Sequence, residues 1–199
     1  MPKKVDHQER REHIADSLMR VAAEQGIEAV SLRHVATEAG VTSGMVQHYF
    51  PTKEAMMDFA MQVASARYET RMTKAITQLG EQPPASELIR AILGTLLPTN
   101  ESQRADGRVA LAFQSYAATK PSAAEQLSHS NAEMRQFLAH NVRVAQTAGE
   151  APSDLSPFPT ATSLHALAEG LGVLVLSSNL SVEEAQAALN THLDLIFST

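Results

Sequence analysis

Apolar residues recur every three to four positions along almost the whole chain, and nowhere do they sustain the period of two that a half-buried strand needs. Glycine and proline fall mostly at the joints between these runs. The pattern dictates an all-α fold. It predicts helices over about His7 to Gln25, Leu32 to Ala39, Ser43 to Phe50 and Thr52 to Leu79, then over Ser86–Leu97, Gln103–Thr119, Ser122–Ala148, Pro159–Ser178 and Val182–Phe197. Ser31, Thr42 and Thr52 stand where N-caps are expected, Gly26 and Gly40 where the chain must turn, and "SVEE" (Ser181 to Glu184) has the form of a capping box. "EQPPA" and "GEAPSDLSPFP" are the breaks in the second half.

Composition narrows what such a helical chain can be. At 199 residues, 44% hydrophobic and 19% charged, it can bury a substantial core and reads as an ordinary soluble protein. The absence of cysteine excludes disulfides and thiolate metal sites and fits a reducing cytoplasm. The N-terminus lacks the apolar stretch of a secretory signal. The most apolar run, "LHALAEGLGVLVLSS", is too short for a bilayer and carries His165 and Glu169, so it reads as a buried helix and no membrane partner is expected. A net charge of −6 argues against a nonspecific coat of nucleic acid, and residues 1–60 carry seven Lys/Arg against nine Asp/Glu.

The short third helix poses the sharpest question. In "VTSGMVQHYFPTKEAMMDFA" a run of about two turns is capped by Thr42 and stopped by Pro51, because a residue before proline is pushed out of the helical region. At 100° per residue, Ser43, Gly44, Gln47 and His48 fall on one arc, and Met45, Val46, Tyr49 and Phe50 on the other. One side packs; the other offers small or hydrogen-bonding groups. A helix about 12 Å long suits the major groove of B-DNA, about 12 Å wide. Helix, glycine turn and short second helix form a helix-turn-helix, in which Ser43 and Gly44 let the backbone approach and Gln47 can bond a base edge. The alternative from pattern alone is a plain αα-hairpin with a solvated polar face.

The segment "HIADSLMRVAAEQGIEAVSLRHVATEAGVTSGMVQHYFPTKEAMMDFA" resembles the DNA-binding domain of the TetR family of transcriptional regulators. The signature is G-x-x-x-x-S/T-x-R, then A-x-x-A-G-V, then S/T-x-G-x-x, an aromatic pair and a lysine. "MVQHYFPTKEAM" and the closing "LAEGLGVLVLSSNLSVEEAQAALNTHLDLIF" are similar to the BetI-like branch. The resemblance implies that Arg33 contacts base or phosphate, that Thr42 bonds phosphate while capping, and that Lys53 contacts the backbone. It makes Ser43, Gly44, Gln47 and His48 the groove face; Tyr49 is placed between core and phosphate contact. Where the commonest family version reads Tyr-x-His-Phe, this chain has Gln47-His48-Tyr49-Phe50, so no operator sequence carries over. The arm "PKKVDHQERR" is expected either to add flexible contacts through Lys3, Lys4, Arg10 and Arg11 or to serve as a solubilising segment.

The same resemblance implies a division into a helix-turn-helix domain, residues 1–52, and a helical ligand-binding and dimerisation bundle, residues 53–199. The sequence has its own argument for pairing. Leu164, Leu167, Ala168, Leu171, Leu174 and Val175 form an apolar stripe, widened by Val173 and Leu176, with Ala166, Gly170 and Gly172 permitting close approach. Val182, Ala185, Leu189, Leu193 and Ile196 repeat it in the last helix. Such a pair can build a four-helix interface with a two-fold copy, or can be plain intrachain core. Pocket candidates are Met61, Phe113, Tyr116, Met134, Phe137 and His140, though a Met or aromatic at helical spacing more often simply packs in a core. The resemblance offers choline-related effectors, yet no dense aromatic cage with acidic partners is visible.

Enzyme signals are weak. His34 and Glu38, and His165 and Glu169, are spaced i, i+4 without a third ligand nearby, and H-E-x-x-H, G-x-S-x-G and phosphate-binding glycine loops do not occur. Neither metal nor other cofactor is expected. The chain therefore reads as a cytoplasmic, homodimeric repressor that binds a palindromic double-stranded operator and is released by a small-molecule effector. The alternative is a helical small-molecule-binding or protein-interaction module with a vestigial helix-turn-helix.

Overall fold

The computed structural model describes the backbone of residues 2–197 and the side chains of residues 7–197. Its described residues form helices and no strand: α1 (Pro2–Gln25), α2 (Leu32–Glu38), α3 (Ser43–Tyr49), α4 (Lys53–Thr77), α5 (Ala85–Gly94), α6 (Glu101–Ala117), α7 (Pro121–Ala148), α8 (Pro157–Leu176) and α9 (Val182–Phe197). The fold is all-α, as the apolar periodicity requires. A 3-10 turn, Ile27–Ala29, which the apolar spacing does not mark, joins α1 to α2. The first helix also starts earlier than the pattern placed it, so the expected arm is helical backbone from Pro2.

Packing groups the chain into two compact units. One takes in everything up to Tyr68 together with Arg108–Ala124; the other comprises Glu69–Gly107 and the chain from Glu125 onward. In the first, Ile14, Leu18, Val21 and Ala22 bury the inner face of α1, as their spacing predicts. Val35 and Ala36 of α2, Val46 of α3 and Met56, Met57 and Ala60 of α4 are buried with them. Polar ties fix these helices. Arg20 donates to Glu38 at 2.7 Å and to Ser17 at 2.9 Å, and Arg67 pairs with Asp16 at 2.5 Å.

In the second unit, Ile89, Ile92, Leu93 and Leu97 pack against Leu138 and Val142 of α7 and the inward residues of α8 and α9. The "GEAPSDLSPFP" loop is held because Gln146 donates to the carbonyls of Pro152 and Leu155, each at 2.9 Å. Ser181 and Glu184 form the reciprocal capping box read from the sequence: the Ser181 amide reaches Glu184 at 2.9 Å and the Glu184 amide reaches Ser181 Oγ at 3.1 Å. Those bonds favour the ionised carboxylate and hold Glu184 below its usual value. His165 is buried on α8; burial pushes its imidazole below the ordinary value, as does Arg135, against an opposing pull from Glu169. Among the described residues no group of three or more potential ligands could hold a metal ion, and no helix is long and apolar enough to cross a membrane.

Candidate nucleic-acid interface

The turn between α2 and α3 is built by two local devices. Gly40 takes φ +66°, a left-handed conformation that favours glycine, and the Val41 amide reaches back to the Ala36 carbonyl at 3.0 Å. His13 of α1 meets the Ala39 carbonyl through Nε2 at 2.9 Å, which ties the turn to the first helix. Ser31 caps α2 by accepting from the His34 amide at 3.1 Å.

Thr42 then caps α3, its hydroxyl oxygen accepting from the Met45 amide at 3.2 Å. Cap and stop are both as expected: α3 ends at Tyr49, with Phe50 extended at φ −136° before Pro51. Thr52 restarts the helical path by accepting from the Ala55 amide at 3.1 Å.

On this short helix Val46 is buried and fixes its orientation, and Phe50 is buried just beyond it. Ser43, Gly44, Gln47 and His48 are all exposed, the arc that the helical wheel assigns to them. Met45 departs from that wheel. Expected inside, it is 39% exposed, because at 100° per residue it lies at the margin of a face that Val46 occupies. Gly44 has open surroundings: a Cβ there would meet only Thr42 Oγ1, at 4.0 Å. The fold itself therefore makes no use of its missing side chain.

The flanking candidates are also placed. Arg33 is exposed on α2; Lys53 is half-buried in the first turn of α4. Tyr49 is half-buried, its ring centroid 5.3 Å from that of His48 and 4.7 Å from that of His7. Arg11 reads from the sequence as part of the arm, yet it is half-buried, its guanidinium 4.1 Å from the Phe59 centroid and 5.1 Å from that of Phe50. His7 is exposed, and no local signal in the sequence marks it. Arg10 is exposed; the side chains of Lys3 and Lys4 lie outside the described residues.

The pocket candidates fall into two groups. Met61, Phe113 and Tyr116 are buried in the first unit, where burial raises the Tyr116 phenol above its ordinary value, with Glu54 and Asp58 pushing the same way. In the second unit Met134 packs against the core, whereas Phe137 is 39% exposed and His140 is exposed. Helical geometry explains the split, since Leu138, Ala139 and Val142 take the inward face of α7.

The pairing stripe divides in the same way. Leu164, Leu171, Val175, Leu189 and Leu193 are buried in the unit's own core, with Leu167 and Ile196 packed against it. Side chains so enclosed have little surface left for a second copy. Of the eight, Leu174 is the one that stands out, at 42% exposed. Gly172 also serves the chain itself, lying against the Leu96 carbonyl.

Comparison with known proteins adds to this geometry. Residues 14–58 match the family pattern described as bacterial regulatory proteins, tetR family, and residues 85–198 match that of the BetI-type transcriptional repressor, C-terminal. Over 175 residues the chain is 33% identical to HTH-type transcriptional regulator PksA of Bacillus subtilis (strain 168), covering 87% of this chain and 82% of that protein. A transcriptional regulator from Rhodococcus sp. Rha1 superposes with a TM-score of 0.81 at 30% identity, over 94% of this chain and 95% of that one. A regulator from Saccharomonospora viridis, solved in complex with choline, has the same fold with a TM-score of 0.83 at 23% identity, over 94% and 96% of the two chains.

Proposed function

The chain belongs to the TetR family of bacterial transcriptional regulators, on its BetI-type branch, and on that premise we propose that it is a cytoplasmic homodimeric repressor released from a palindromic operator by a small molecule. The outer face of α3 is the main support. Four exposed residues are small or hydrogen-bonding, and one is a glycine that costs helix stability without serving the protein interior. A surface that keeps a glycine open in this way suits close approach to a groove wall.

In this reading Gln47 bonds a base edge, ideally adenine, and His48 lies beside it on the groove face. Ser43 and Gly44 admit the duplex. Thr42 keeps its hydroxyl proton for a phosphate while its oxygen caps the helix, and Arg33, Tyr49 and Lys53 bind the flanking backbone. Residues 1–52 form the reading head, and residues 53–199 sense the effector and pair the subunits. Because α3 spans only two turns, two copies about 34–36 Å apart are needed to read a useful site. The pairing face is the exposed side of α8 and α9, including Ala166, Gly170, Val173, Leu174, Ala187, Ala188 and Leu195. An effector that binds one arrangement of the bundle more tightly shifts the dimer away from the operator. Choline, present with the Saccharomonospora neighbour, is the first compound to try.

Selection from random duplexes, followed by anisotropy titration, tests the proposal. Wild type should show salt-sensitive, sequence-preferring binding. Gln47→Ala should lose about 1–3 kcal/mol of discrimination at one base position. Lys53→Ala should weaken all sequences alike and lower the salt slope by about one unit per subunit. Binding without sequence preference, or none, would leave a helical binding module whose helix-turn-helix is vestigial.

A further inference from the structure

The first turns of α1 place His7 and Arg11 one helical turn apart, at i and i+4, and therefore on one face. That face meets a row of rings. The His7 imidazole lies 4.7 Å from the Tyr49 centroid at 59° between planes. The Arg11 guanidinium lies over Phe59 at 4.1 Å and over Phe50 at 5.1 Å. Phe50 and Phe59 themselves meet at 5.4 Å. Arg11 Nε is buried with no hydrogen-bond partner, so at that nitrogen it is ring contact rather than a bond to oxygen that the side chain has gained.

These contacts converge on the end of α3. A two-turn helix has little stability of its own, so its rotation is set by tertiary contacts, those of buried Val46 and Phe50 together with those at its two ends. The N-terminal end has the Thr42 cap and the turn bonded to Ala36 and His13. At the C-terminal end Tyr49 is only half-buried, and Pro51 removes any helical continuation. We propose that His7 and Arg11 are positioning residues that clasp the Tyr49–Phe50 end of α3 and so hold Gln47 and His48 in register with the duplex. The clasp rests on the DNA-binding reading above and deepens it: a segment that never touches a base sets how well bases are discriminated.

The physical signature separates a clasp from a contact. A residue that binds phosphate releases counterions, so its loss lowers the salt slope; a residue that orients the reading helix leaves that slope alone and lowers affinity for the preferred site. The test uses the full-length protein, the selected duplex and a scrambled duplex, titrated by anisotropy at several salt concentrations. His7→Ala and His7→Leu should weaken the preferred duplex by about three- to ten-fold per subunit. Binding to the scrambled duplex and the salt slope should not change. His7→Phe, which restores a ring without a titratable nitrogen, should recover wild-type discrimination. Leucine keeps bulk without the ring, so its comparison with phenylalanine stands even if alanine impairs folding.

Equal discrimination by the leucine and phenylalanine variants would overturn the clasp. So would a salt slope reduced by about one unit per subunit that phenylalanine fails to restore, because His7 would then be a phosphate contact. A wild-type protein without sequence preference would remove the reading beneath the clasp, and the clasp with it.

Discussion

Gly44 is a weak helix former at a position where its own fold would accept a methyl group. Alanine there should stabilise the protein by up to about 1 kcal/mol, since helix propensity improves and nothing lies close enough to clash. The same methyl would stand between α3 and the duplex. Urea unfolding of Gly44→Ala should therefore show a higher midpoint while anisotropy shows weaker binding to the selected site; unchanged affinity would mean that the duplex does not approach this residue. Residues whose chemistry is local were readable in advance. Thr42, Ser31 and Ser181 each act on an amide three positions along, so residue type and spacing suffice to place them. His7 and Arg11 act on rings some forty residues away. Their charged neighbourhood reads as a solvated arm until Tyr49, Phe50 and Phe59 are brought beside it.

At the scale of the element, α8 shows why a helical wheel can fail. Leucine and valine occupy nearly every side of it, so the wheel cannot tell the face turned to the chain's own core from a face turned elsewhere. Leu164, Ala168, Leu171 and Val175 went inward, and Leu174 stayed out. Its glycines divide likewise. A Cβ on Gly172 would lie 2.7 Å from the Leu96 carbonyl oxygen, a backbone atom that cannot swing aside, whereas one on Gly170 would meet nothing within 4 Å. Gly172→Ala should cost about 1–3 kcal/mol, the usual range for overpacking, and lower the melting temperature; Gly170→Ala should not. Equal melting for the two variants would show that α8 can slide away from Leu96 without loss.

For the whole molecule, the helices and most of their ends were legible from periodicity and caps, but their grouping was not. The stretch Arg108–Ala124 belongs with the N-terminal unit although Glu69–Gly107, part of the other unit, lies between them in sequence. Apolar spacing states that a helix has an inner face, never which core receives it. Assembly is hidden for the same reason and must be sought on what remains exposed. Leu174→Arg places a charge on the proposed pairing face without disturbing a buried side chain, so it should yield a folded monomer by light scattering and normal helical circular dichroism. Operator affinity should then fall steeply, as each half-site would be bound alone. A dimer unaffected by Leu174→Arg would move the interface off this face.

Beside the exposed Met45 thioether, the outer arc of α3 offers a hydroxyl, a bare backbone, an amide and an imidazole, with no carboxylate, ammonium or guanidinium among them. In the proposed function, attraction to the duplex and choice among its sequences then reside in different atoms. Changes in the ionic strength around the protein should raise or lower how often its operator is occupied. They should leave almost untouched how strongly it prefers that operator to the rest of the chromosome, so an osmotic shift would alter the level of control without redirecting it.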